Sequence, residues 1–332
     1  GRLASGLPFP GGIDLTEGPP VVVDALVADA STIWLWFNEE VDLVDAEDPA
    51  NYSLTGGGNV TFAILDVFER SVELALSTPL QEGVLTTVQV RNIADIFGNT
   101  SSDNGSVDVA YEPMAQIIIN EILYDVPAGN GDANRDGVIN EQEDEFVEFI
   151  NLEPHAVDLS GWTVSDLAAQ RHVFPQGTLL QPGQPLVLFG GGIPTGDFGG
   201  AIVQVASSGE LRLGNTGDCL TLADEYGRLA VERCWDLGEF VEVSMVRAPE
   251  KTGAFTAHDL APGSGGSLFS PGTQTDGTAF AFSTITPPVI LTIEKGQAEG
   301  SIVLTFTGQP GPFAVEQSSS LTPPSWSEVQ GV

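Results

Sequence analysis

"QIIINEILYDVPAGNGDANRDGVINEQEDEFVEFINLEPHAVDLSGWTVSD", residues 116–166, decides the fold of this chain. The first limb is rich in β-branched residues and then breaks at Pro127 and Gly129, which reads as a strand running into a loop. The last limb, from Phe146 onward, is strand-like again. No helical period enters or leaves the polar insert between them. The insert is therefore a connection within a β domain, and not the middle of a helix–loop–helix unit.

Within the insert, oxygen-bearing side chains fall at alternate positions. Counted from Asp132, the residues Asp132, Asn134, Asp136, Gly137, Val138, Ile139, Asn140 and Glu143 stand where the calcium loop of an EF-hand has its positions 1, 3, 5, 6, 7, 8, 9 and 12. Calcium takes six to eight hard oxygens, and a tight loop supplies them from alternate residues. Gly137 permits the positive φ that bends the chain round the ion. Val138 would contribute its backbone carbonyl, Asn140 would act through a water, and Glu143 would close the site, with Asp144 or Glu145 able to replace or supplement it. Ile139 is expected to point into a core. A single loop between strands makes a structural ion the expectation, not a switch.

Acids outnumber bases 46 to 11 in 332 residues, a net charge of −35. A phosphate backbone needs a basic face, so nucleic acid is excluded as a partner. Anionic membrane surfaces are disfavoured on the same ground, and no run reaches the roughly 18 apolar residues of a span. The balance suits a secreted protein in a salty, calcium-containing medium. The 39 Gly and 22 Pro point to an all-β chain with many turns. Cys219 and Cys234 flank a hairpin pattern, "LTLAD-EYGR-LAVER", with Tyr226 and Gly227 at its tip. With that turn the two cysteines face one another, and a cross-strand disulfide is expected in an oxidising compartment. A strict two-residue loop would put them on a hydrogen-bonded rung, a conflict that a bulge or longer turn removes.

Four units are expected: an arm over 1–19, β units over 20–112 and 113–288, and a partial third unit over 289–332. In "TIWLWF", Ile33, Leu35 and Phe37 take the core face of a strand, while Trp34 and Trp36 take the other. Two Trp on that face indicate a covered surface. The cover is expected to be a neighbouring loop, the arm, another domain, another copy or a sugar ring.

"IWLWFNEEVD", "DPANYSL" and "IADIFGNT" resemble the bacterial Ig-like domains of S-layer and secreted surface proteins, which carry no activity. "IIINEILYD", "DEFVEFIN", "AVDLSGWTVSD", "RHVFPQGTLLQPGQPLVLFGGG" and "LRLGNTGDCLTLADEYGRLAVERC" resemble the bacterial lamin-tail domain. That resemblance implies a compact Ig-like sandwich with Trp162 in its core and a tolerance for calcium, and it implies no reaction. The fold expected is tandem Ig-like β-sandwiches, the second lamin-tail-like with the calcium loop inserted.

Catalytic patterns are missing. His155, His172 and His258 lie in separate segments without metal spacing, so each reads as an ordinary surface or core residue. "FGGGIPTG" lacks the Lys-Ser/Thr ending of a phosphate loop and reads as a plain connection. The expectation is a non-catalytic, secreted or cell-surface structural or adhesive protein that assembles head to tail into extracellular fibres. Its partners would be other copies, other surface proteins or polysaccharide. The alternative is an accessory segment of a larger secreted hydrolase or nuclease.

Overall fold

The computed structural model describes residues 18–282, apart from 57 and 69, and four later strands, Val289–Lys295, Ile302–Thr307, Glu316–Gln317 and Ser327–Glu328. Residues 1–17 of the arm expected over 1–19, and most of the partial unit expected over 289–332, lie outside these residues.

The chain is all-β, and its one α-helix among the described residues is the four-residue turn Leu43–Ala46, capped by Asp42. In the first unit, strict alternation in Thr32–Phe37 buries Ile33, Leu35 and Phe37 completely or nearly so. That strand lies inside a four-stranded antiparallel sheet ordered Val22–Asp29, Thr32–Phe37, Ser71–Leu76, Val60–Leu65. A second sheet of Tyr52–Leu54, Thr86–Val90 and Ser106–Val109 supplies the opposing core residues Tyr52, Val88, Val90 and Val109. Each fully buried aliphatic side chain there stabilises the sandwich by about 1.5–3 kcal/mol.

The second unit pairs a six-stranded sheet with a four-stranded one. The larger sheet is ordered Ile202–Val205, Pro185–Phe189, Phe146–Asn151, Ile117–Leu123, Met245–Ala248, Ala254–Ala257. The smaller is ordered Gln170–Val173, Thr163–Ser165, Gly217–Ala223, Leu229–Asp236. Between them sit Ile119, Ile122, Phe149, Leu188, Val164, Leu222 and, as expected, Trp162. Tyr124 stacks on Trp235 with ring centroids 4.9 Å apart.

Ile117–Leu123 and Phe146–Asn151 are adjacent antiparallel strands, so residues 124–145 are the connection of one hairpin. A bulge between Ile119 and Glu121 sets the register so that Glu121 faces Glu148 directly. Both strands are buried on both faces. One face meets the sandwich core. The other is covered by a smaller cluster, Leu123, Ala133, Phe146, Phe189 and Phe198, and by the chain that follows Ala257.

Candidate metal centre

Four side chains of the 132–144 connection fold back onto its own backbone. Asp132 Oδ2 accepts from Gly137 N at 3.1 Å, Asn134 Oδ1 from Asp136 N at 3.0 Å, Asp136 Oδ1 from Val138 N at 2.9 Å, and Asn140 Oδ1 from Gln142 N at 3.1 Å. Short Asx side chains reach such nearby N–H groups, which is why this composition turns tightly. Gly137 has φ +93°, the left-handed conformation the turn requires.

Asp144 closes the loop. Its two oxygens accept from Asn134 N at 3.0 Å and Asn140 N at 2.8 Å, and its side chain is fully buried. Burial pushes this carboxyl up from the usual range, backbone N–H bonds oppose that, and the charge on Asp132 adds to it. Glu143 is half-buried, with its backbone tied to Asn140 and Gly191. Glu145 turns away to accept from Leu213 N at 3.1 Å, and burial raises its pKa to about 8. The sequence left Asp144 and Glu145 as alternatives to Glu143; the loop-closing bonds belong to Asp144.

One oxygen is left over. Asp132 Oδ1 is the one buried side-chain polar atom among the described residues without a hydrogen-bond partner. An orphaned carboxylate oxygen near a second, buried carboxylate is costly unless a cation is present. The donors here are all hard oxygens, which fits calcium better than a thiophilic ion. Asp132, Asp136 and Glu143 do not bring their carboxylate oxygens together as a set. Among the described residues the one trio of His, Cys, Asp or Glu ligand atoms within 4.8 Å is Cys219, Glu232 and Cys234, whose sulfurs are bonded to each other. Ile139 departs from expectation: it is 43% exposed, because the turn projects from the sheet and offers it no core. Val138 is exposed as well.

The wall of the loop comes from "FGGGIPT". Gly190 N donates to Glu145 O, Gly191 N to Glu143 O, Ile193 N to Asp136 Oδ2 and Thr195 N to Asn134 O. A Cβ on Gly190 would stand 1.9 Å from Gln142 O, and one on Gly192 would stand 2.4 Å from Asn134 Nδ2. Gly190 is there because two backbones touch, and Gly192 because the Asn134 and Asp136 side chains fill the place of its Cβ.

Cys219 and Cys234 form the expected disulfide at directly paired positions. The hairpin is not closed by a strict two-residue loop. Its register shifts between Leu222 and Ala223, and Asp224 and Arg228 bracket the turn. Asp224 holds that tip by accepting from Tyr226 N, Arg228 N and Arg228 Nε. Arg228 Nη1 then donates to Val27 O and Glu112 O. Trp34 and Trp36 are half-buried beside this tip; Trp36 shares a cleft with Tyr226 and Arg228, and Trp34 one with Gly227 and Leu229. Trp34 Nε1 also donates to Glu73 Oε2 at 3.2 Å. The hairpin tip of the next unit thus lines the clefts beside the two Trp.

A second polar constellation escaped the sequence reading. Glu121, Glu148 and His258 are fully buried, and Ser270 nearly so. The available signal was "IIINEIL", in which Asn120 and Glu121 interrupt an apolar strand. His172, whose Nε2 meets Gln204 Oε1 and whose Nδ1 accepts from Ser207 N, is a satisfied buried histidine.

Residues 112–235 match the family described as Lamin Tail Domain. The second unit is a lamin tail domain. Its sheet and its buried polar groups continue past the matched residues, through Ala254–Ala257 to Gly272. No curated protein matches the chain. Among solved structures, the N-terminal part of the bacterial S-layer protein SbsC is 13% identical, with a TM-score of 0.32, covering 66% of this chain and 44% of that one. The S-layer protein rSbsC(31-844) is 16% identical, TM-score 0.28, covering 91% and 48%. A DUF4876 family protein from Bacteroides thetaiotaomicron VPI-5482 is 11% identical, TM-score 0.23, covering 52% and 63%. The chain spans less than half the length of these S-layer chains.

Proposed function

We propose that this chain is a non-catalytic structural segment of the bacterial cell surface or extracellular matrix, with a lamin tail domain that calcium stabilises. The observation that carries the calcium reading is Asp132 Oδ1, buried and unpartnered inside a loop with calcium-ligand spacing. Asp132, Asn134, Asp136, Asn140 and either Glu143 or Asp144 would hold the ion, with the Val138 carbonyl. The ion would do no chemistry there; it would neutralise Asp132 and Asp144 and fix the connection against the glycine wall.

The surface reading is supported by the disulfide and by the net charge of −35, which disfavours nucleic acid. Thermal melts of the chain in EDTA and in millimolar calcium test the proposal. Calcium raises the melting temperature of the wild type and leaves Asp132→Ala unmoved. Superimposable wild-type melts in the two buffers would sink the calcium reading.

A further inference from the structure

The outer face of the six-stranded sheet buries a group of side chains that the proposed function leaves unused. We propose that Glu121 and Ser270 condense into an intramolecular ester, a covalent bond the folded chain makes on itself.

The parts of an acyl-transfer site are all present at one carboxyl group. Ser270 Oγ lies 2.8 Å from His258 Nε2 and 2.9 Å from Glu121 Oε2. His258 Nδ1 faces the Ser267 carbonyl at 2.8 Å. A carbonyl only accepts, so Nδ1 carries the proton and the Nε2 lone pair is directed at the Ser270 hydroxyl. Glu121 Oε1 receives the Ser270 backbone N–H at 3.0 Å and the Ser244 hydroxyl at 2.5 Å. These two donors converge on the oxygen that would carry the charge of a tetrahedral intermediate. Nucleophile, base, base-orienting acceptor and oxyanion donors are therefore in place around Glu121 Cδ.

The environment favours the acid form that condensation needs. Glu121, Ser244 and His258 are 0% exposed and Ser270 is 6% exposed. Burial pushes the Glu121 carboxyl up, with His258 the largest opposing influence. With Glu121 neutral, its Oε2–H donates to Ser270 Oγ and the Ser270 O–H donates to His258 Nε2. Every hydrogen then has an acceptor.

The step balances without a cofactor. His258 Nε2 takes the Ser270 proton as Oγ attacks Cδ, and the negative charge falls on Oε1. The imidazolium returns the proton to the Oε2 hydroxyl, the Cδ–Oε2 bond breaks, and one water leaves. Ester formation is unfavourable in bulk water. Here the partners are held together at an effective concentration of roughly 10⁵–10⁸ M, and solvent has no standing access to reverse the step. The same burial explains why Ser270 is no hydrolase nucleophile: the oxyanion donors are filled by the chain's own carboxyl.

Intact mass of the denatured, disulfide-oxidised chain tests this. The wild type is expected one water lighter than its oxidised sequence mass, with a proteolytic peptide that joins 121 to 270. Hydroxylamine treatment of the denatured chain opens the link. Ser270→Ala has the full mass, and Glu121→Gln condenses with loss of ammonia in place of water. His258→Gln forms the link at least tenfold more slowly. A folded wild type that keeps its full mass after days at 37 °C overturns the proposal, whether or not Ser270→Ala folds. A water loss that maps instead to a succinimide at Asp136 or Asp276, each of which precedes Gly, overturns it too.

Discussion

Asp132 carries one oxygen bonded to Gly137 and one bonded to nothing. Its replacement separates the ion from the fold. In EDTA, Asp132→Asn removes a repulsion with Asp144 and melts no lower than the wild type. In calcium at a hundred times the dissociation constant it lacks the stabilisation of about 2.7 kcal/mol that binding to the native state supplies. Calorimetry in the two buffers reads the difference. Glu148 poses a different problem. It faces Glu121 across the strand pair, and burial pushes its carboxyl well up. A carboxyl raised in the folded state gives stability that is present below its unfolded pKa and lost as pH climbs through the folded one. Wild-type stability therefore falls from pH 5 toward alkaline pH, and Glu148→Gln flattens that slope. The variant loses about 1–3 kcal/mol outright, because Glu148 accepts from both Asn120 Nδ2 and Gly272 N and an amide keeps one acceptor. An unchanged slope in urea titrations across that range would contradict the assignment.

At the scale of elements, the connection 124–145 and the glycine segment 190–192 behave as one unit. Gly137 has open space where its Cβ would go, so Gly137→Ala costs only the left-handed backbone, about 1–2 kcal/mol. Gly190→Ala drives a methyl into the Gln142 carbonyl and is expected to cost more than about 3 kcal/mol, and chemical denaturation ranks the two. The hairpin closed by Cys219 and Cys234 spans 15 residues. Replacing both cysteines by serine lowers stability by about 3 kcal/mol in the chain-entropy account, and alkylation of the denatured, unreduced wild type adds no label. These elements show what a sequence discloses. Alternation in "TIWLWF", the symmetric spacing about the 226–227 turn and the Asx ladder from Asp132 are local patterns, and each appears in the fold. The wall at 190–192 did not, because its reason is an approach between segments some fifty residues apart. Ile139 was misjudged because position 8 of a calcium loop finds a core only when helices pack beside it.

For the whole molecule, the first unit and the lamin tail domain meet through Arg228, whose guanidinium bonds Val27 O and Glu112 O. Arg228→Ala leaves each sandwich folded and broadens the distribution of distances between them, which small-angle scattering detects as a larger radius of gyration. A chain of net charge −35 repels its copies. Head-to-tail fibre assembly is a proposal that light scattering at rising calcium tests, with Phe62→Ser, on the exposed face of the sheet's last strand, as control. The contact between Glu121 and Ser270 joins residues 149 apart in sequence, with Gly272 held to Glu148 beside it. Tension applied to the chain on either side of the domain enters at the strand Ile117–Leu123 and leaves at Ser270, a few ångströms away. The force path crosses that short span of polar contacts and bypasses the residues between. The connection 124–145, the hairpin and the core about Trp162 and Trp235 hang off the loaded line, and would keep their shape while it is pulled.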